Sequence, residues 1–133
     1  MAACATPYRA PLGLTGGYDD RQIGEGKWQV SFLANGFTRR GFALNAALYR
    51  AAELARDHGY PFFQIVQSSV LVGEFVEGEG YVQALGVPQG TGAVIYLTVQ
   101  GVHSADAPIA CENNYRRGCR TLAAAEVLRQ LAP

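Results

Sequence analysis

Lysine, histidine and long apolar runs are scarce in this sequence. Lys27 is the sole lysine, and ten arginines make up the rest of a cationic count that equals the acidic one, so the formal net charge is zero. A neutral chain offers no electrostatic footprint for nucleic acid, and no nucleic-acid partner is expected. No apolar run approaches the roughly 18 residues that cross a bilayer as a helix. Two histidines and three cysteines, at spacings that match no zinc pattern, leave no metal site to expect. No G-x-G-x-x-G joins a strand to a helix, and there is neither a P-loop nor a G-x-S-x-G turn. No cofactor is therefore expected, and no catalytic residue is assigned. What remains is ample apolar content: 49% of the 133 residues are hydrophobic and 17% charged, enough to bury the core of one domain and too short for two ordinary ones.

The best-defined element is a helix between Thr38 and His58. Leu44, Ala47, Leu48, Ala51, Leu54 and Ala55 recur at i, i+3, i+4, i+7 spacing and share one face. Tyr49, Arg50, Glu53, Arg56 and Asp57 fall on the other. Thr38 is the expected N-cap, and Gly59 followed by Pro61 supplies the stop. An alanine-rich face allows close approach to a flat partner, which the flanking strand patterns provide. Those strands are expected at Arg21–Ile23 and Lys27–Leu33, joined by Gly24-Glu25-Gly26, then at Pro61–Gln67, Val70–Val76, Tyr81–Leu85 and Ala93–Val102. In the second strand Trp28, Val30 and Phe32 alternate with Gln29, Ser31 and Leu33. In the last, Ile95, Leu97 and Val99 alternate with Val94, Tyr96 and Thr98. A second helix is expected over Thr121–Leu131, capped by Thr121. Ala124, Val127, Leu128 and Leu131 form its apolar side. The order ββαββββα predicts an α+β two-layer sandwich, with both helices on one face of a mainly antiparallel sheet. Residues 1–17 carry no period and read as a flexible tether; residues 18–133 form the domain.

Several polar groupings invite chemistry. His58 precedes the helix stop, where a cation favours the dipole, so it reads as a cap. His103, Ser104 and Asp106 stand in one loop, but three residues this close in sequence rarely form a relay, so a small hydrolase using His103 is the weakest functional reading. Glu77 and Glu79 flank Gly78 in a turn too poor in oxygen ligands for calcium. Arg39 and Arg40 open the first helix against its dipole and are expected to pair with Asp19 or Asp20. Cys111 and Cys119 enclose a polar loop that either closes as a disulfide or holds two thiols, as the compartment decides. Within that loop, Tyr115, Arg116 and Arg117 are a candidate contact surface; Tyr49, Arg50 and Glu53 on the first helix either form such a surface or pair with the N-terminal hairpin.

Two further pieces carry a family likeness. Met1-Ala2-Ala3-Cys4-Ala5-Thr6-Pro7-Tyr8 looks like the end of a bacterial lipoprotein signal, with small residues before the cysteine. Gly36-Phe37-Thr38-Arg39 leads into Leu48-Tyr49-Arg50-Ala51-Ala52-Glu53-Leu54. With Gly17-Tyr18 and Val30-x-Phe32-x-x-Asn35-Gly36, these resemble a family of small, functionally uncharacterised alphaproteobacterial envelope lipoproteins. The resemblance spans roughly residues 4–68 and brings no catalytic residues with it. It implies that Cys4 is the lipid-attachment point and residues 5–17 the tether, in a periplasm-facing protein anchored to the membrane. An oxidising periplasm would then favour the Cys111–Cys119 bridge. The expected function is a non-enzymatic, lipid-anchored domain that binds another protein or a cell-wall component. The alternative is an accessory subunit of a larger envelope assembly, using Gln29, Ser31, Tyr96 and Thr98 if their sheet face is uncovered.

Overall fold

The computed structural model describes residues 17–33, 40–78, 80–83, 94–112 and 119–132. A five-stranded antiparallel sheet carries the fold. Its strands are β1 (Gly17–Gly24), β2 (Lys27–Leu33), β3 (Phe62–Ser68), β6 (Val94–Val102) and β7 (Arg120–Ala123), in the spatial order β1-β2-β6-β3-β7. Strands β4 (Val72–Val76) and β5 (Gly80–Gln83) form a separate antiparallel pair. Helix α1 (Arg40–Asp57) and helix α2 (Ala124–Leu131) complete an α+β architecture. The order ββαββββα holds, with the short β7 added ahead of the second helix.

Alternation along the strands decides which face the helices cover. Cross-strand partners point to the same side of a sheet. Trp28 stands opposite Val99, Val30 opposite Leu97 and Phe32 opposite Ile95, and all six are buried. Phe63 and Ile65 of β3 and Leu122 of β7 continue this layer. The helical stripe Leu44, Ala47, Leu48, Ala51, Leu54 and Ala55 packs onto it, every member buried. Short alanine side chains let the helix backbone come close to the sheet, while the larger Leu44 and Leu48 are fully buried in the same core as Phe32 and Phe63. Helix α2 lies beside α1 and contributes Val127, with Leu128 and Leu131 half-buried against the core.

The end of α1 is built as its sequence suggests. Gly59 adopts φ +84°, and the Tyr60 amide donates to the Ala55 carbonyl at 2.8 Å while Gly59 donates to Arg56 at 3.1 Å. These two bonds satisfy carbonyls that a helix terminus leaves open. His58 Nδ1 lies 2.8 Å from the Leu54 carbonyl oxygen, consistent with a capping role.

The start of α2 differs from expectation. Its N-cap is Ala123, which offers no side-chain cap, and Thr121 belongs to β7, opposite Gln64. The amide of Ala124 instead donates to the Pro61 carbonyl at 3.0 Å. Pairing of residues 120–123 with β3 outcompetes an earlier helix start because it satisfies the β3 edge, a partner no local pattern reveals. The expected cap Thr38 lies outside the described residues. Strand β4 begins two residues later than expected, because Ser68 Oγ turns back to the Val70 amide and carbonyl.

Candidate functional site

The face of the sheet opposite the helices divides into two halves. One half is covered by the chain that follows β6. There the buried Gln64 side chain donates through Nε2 to the carbonyls of Ala107 at 2.9 Å and Pro108 at 3.1 Å. The Glu112 amide donates to the Val66 carbonyl at 2.7 Å, and Lys27 pairs with the Glu112 carboxylate. Cys111 is disulfide-bonded to Cys119, with Cα atoms 5.8 Å apart. Gln100 closes the same end by donating to the carbonyls of Gly26 and Gly101, each at 3.1 Å.

The other half carries a groove among the described residues. Gln29 and Ser31 of β2 stand opposite Thr98 and Tyr96 of β6, and Thr98 stands opposite Gln67 of β3. A register shift in β3 between Ile65 and Gln67 is what turns Gln67 toward this side. Together with Ser68 and Ser69 these side chains line a groove of about 250 Å³. The backbone at its floor is held by reciprocal bonds, the Tyr96 amide to Ser69 Oγ and the Ser69 amide to the Tyr96 carbonyl, both 3.0 Å. Thr98 is 4% exposed and directs its hydroxyl to Gln67 Oε1 at 3.5 Å. Arg21 Nε donates to Gln29 Oε1 at 3.2 Å. Tyr96 is 50% exposed, the highest value among the large hydrophobic side chains described. The groove thus combines a fixed floor, two carboxamides, hydroxyls and one half-exposed aromatic ring, a set of hydrogen-bonding groups that suits recognition.

Other expected groupings sit elsewhere. Arg50 bonds Asp20 Oδ2 at 2.8 Å and Glu53 Oε1 at 3.3 Å, tying α1 to β1. All three side chains are about one-fifth exposed, so Arg50 and Glu53 are committed inside the fold rather than offered outward. Asp20, an expected partner of Arg39 or Arg40, is bonded to Arg50; Arg39 and the Arg40 side chain lie outside the described residues. Tyr49 is half-buried. His103, Ser104 and Asp106 do not assemble into a relay. The His103 ring packs against Tyr60 at 5.0 Å between centroids, and Ser104 Oγ accepts the Asp106 amide at 3.1 Å. Glu77 is exposed at the β4–β5 turn. Cys4, Tyr115, Arg116 and Arg117 lie outside the described residues. Among the described residues, no group of three or more metal-ligating side chains is present, and no helix is long and apolar enough to cross a membrane.

Sequence reasoning identified Gln29, Ser31, Tyr96 and Thr98 as one face but missed Gln67 and Ser69, treating Ser68-Ser69 only as a strand break. The signal lay in the recurrence of Gln, Ser, Thr and Tyr at outward positions of three strands. Reading it required the β3 register shift, which pairing alone sets. Compared with protein families, with curated proteins and with solved structures, the chain matches none.

Proposed function

We propose that this chain is a non-enzymatic binding domain of the bacterial cell envelope, facing the periplasm and held to the membrane by lipid on Cys4. The observation that carries the binding reading is the open half of the sheet, with its preformed groove and half-exposed Tyr96. Tyr96 stands there among uncharged donors and acceptors, the mixture of polar groups and aromatic surface that suits recognition. The anchor rests on the resemblance of Met1-Ala2-Ala3-Cys4 to a lipoprotein signal end. The Cys111–Cys119 bridge supports an oxidising compartment. Acyl chains contribute about 0.8 kcal/mol per buried CH₂, so two or more hold a protein of this size at a bilayer.

Intact mass of protein extracted from native membranes tests the anchor. The expected result is an acylated species that disappears in Cys4→Ala, with the variant released into the soluble fraction. An unmodified, fully soluble native protein overturns it. The binding face is tested separately by placing a photo-crosslinking phenylalanine analogue at position 96 in cells. Adduct formation at position 96 but not at Arg56, on the far side of α1, is the expected pattern.

A further inference from the structure

We infer that the groove on the open sheet face takes a neutral glycan, one or two sugar rings of a longer saccharide, with Tyr96 as the stacking platform. This rests on the reading of that face as the binding surface and adds the chemical class of its ligand.

Four observations converge. First, the lining is uncharged: Gln29, Gln67, Ser68, Ser69, Tyr96 and Thr98. Arg21 and Asp19, opposite Gln29 and Ser31 on β1, border it with one charge of each sign, and Arg21 Nε is given to Gln29 Oε1. An anion or a cation would find no net counter-charge there. Second, the groups left over are predominantly donors. Gln29 Oε1 accepts from Arg21 and Gln67 Oε1 accepts from Thr98, while the Nε2 of each bonds to no described residue. Ser69 Oγ accepts the Tyr96 amide, which leaves its own proton to give. The occupant is therefore rich in acceptor oxygens and carries no charge, as sugar hydroxyl, ring and acetamido oxygens do. Third, the half-exposed Tyr96 ring presents a flat π surface beside those donors. A pyranose has one face of C–H groups that fits such a ring, while its edge hydroxyls reach the flanking amides. Fourth, the dimensions suit a small ligand. A groove of about 250 Å³ is just below the usual span of drug-sized pockets. A stable protein interface needs about 800 Å² a side around an apolar centre. The exposed large hydrophobics described are Ile23, Val76 and Tyr96, of which only Tyr96 lines the groove, so the described residues form no such centre.

The test is a ¹H–¹⁵N NMR titration of the folded chain with tetrasaccharides: β-1,4-linked glucose, β-1,4-linked N-acetylglucosamine and α-1,4-linked glucose. The expected result is saturable shifts confined to residues 29–31, 67–69 and 96–98 and to the Gln29 and Gln67 side-chain amides for at least one probe. A shallow, solvent-facing groove sets the dissociation constant on the order of 1 mM. Tyr96→Ala should weaken binding about tenfold, as loss of one aromatic stack does, while Tyr96→Phe keeps most of it. Gln67→Ala should weaken it several-fold, and Arg56→Ala should leave it unchanged. The wild-type and variant spectra report folding in the same experiment. No saturable shift with any probe to about 20 mM overturns the glycan assignment, as does equal binding by Tyr96→Ala. Crosslinking at position 96 separates the two levels of the argument. A protein adduct without glycan binding refutes the ligand class and leaves the binding face standing; neither adduct nor glycan binding refutes both.

Discussion

Breaking the Cys111–Cys119 bridge gives the sharpest quantitative expectation. The bond closes a sequence separation of 8 residues. In the chain-entropy treatment, releasing that loop in the unfolded ensemble lowers stability by roughly 2.5 kcal/mol at 25 °C. The native side adds to this. The bridge holds Glu112 beside β3, where its amide donates to Val66 and its carboxylate pairs with Lys27. Loosening that segment exposes one net hydrogen bond of about 1 kcal/mol, and the half-exposed ion pair contributes less. The double variant Cys111→Ala, Cys119→Ala should therefore lose about 2.5–4 kcal/mol, a large part of the 5–15 kcal/mol usual for a domain. A urea midpoint lower by about 1–2 M at unchanged slope is the expected readout. Hydrogen exchange supplies the local control: the Glu112 amide should lose protection while amides of the β2–β6 ladder keep theirs relative to global stability. A midpoint shift below about 0.3 M with Glu112 still protected would refute the reasoning, because it would mean that native contacts alone order the segment.

Other expectations follow from single contacts. Gly101 lies flat beneath Tyr60, and a Cβ there would come 2.5 Å from two of its ring carbons. Gly101→Ala should therefore cost about 1–3 kcal/mol and disturb the ring stack of Tyr60 with Trp28 and His103, read by near-ultraviolet circular dichroism and thermal melting. Arg50→Ala removes the ties to Asp20 and Glu53. A loss of about 1–2 kcal/mol in denaturant titration is expected, less than for a fully buried pair because the groups keep some solvent contact. Leu48→Ala empties a fully buried site between α1 and the sheet and should cost about 3–5 kcal/mol, measured the same way. The Tyr81 phenol is pushed above its ordinary pKa by burial, aided by Glu126 and Glu74 and opposed by Arg120. A raised folded pKa favours the protonated fold, so this contribution is complete below about pH 10 and fades as pH rises past it. Tyr81→Phe should flatten the alkaline arm of a stability–pH profile; an unchanged arm would assign that decline to other groups.

The path from composition to surface shows where local information ends. The buried stripe of α1, the Gly59 stop and the alternation of β2 and β6 were legible because each depends on spacing within one segment. Apolar residues at 3.6 or 2.0 periods have only one way to leave water together. The Gln29–Ser31 and Tyr96–Thr98 face was visible for the same reason. By contrast, β7 exists only because residues 120–123 find the free edge of β3, and Thr121 gives up a capping position to do so. Gln67 joins the groove only through a register shift against β6, and Arg50 serves β1 only because Asp20 arrives opposite it from thirty residues away. Periodicity within each segment thus determined the elements other than β7, their inward faces and the α+β class. Tertiary pairing alone decided which half of the outer face the disulfide-closed chain covers and which half, among the described residues, keeps the groove beside Tyr96. The physical reason is that backbone hydrogen bonds between strands and contacts between distant side chains depend on neighbours that no local window contains.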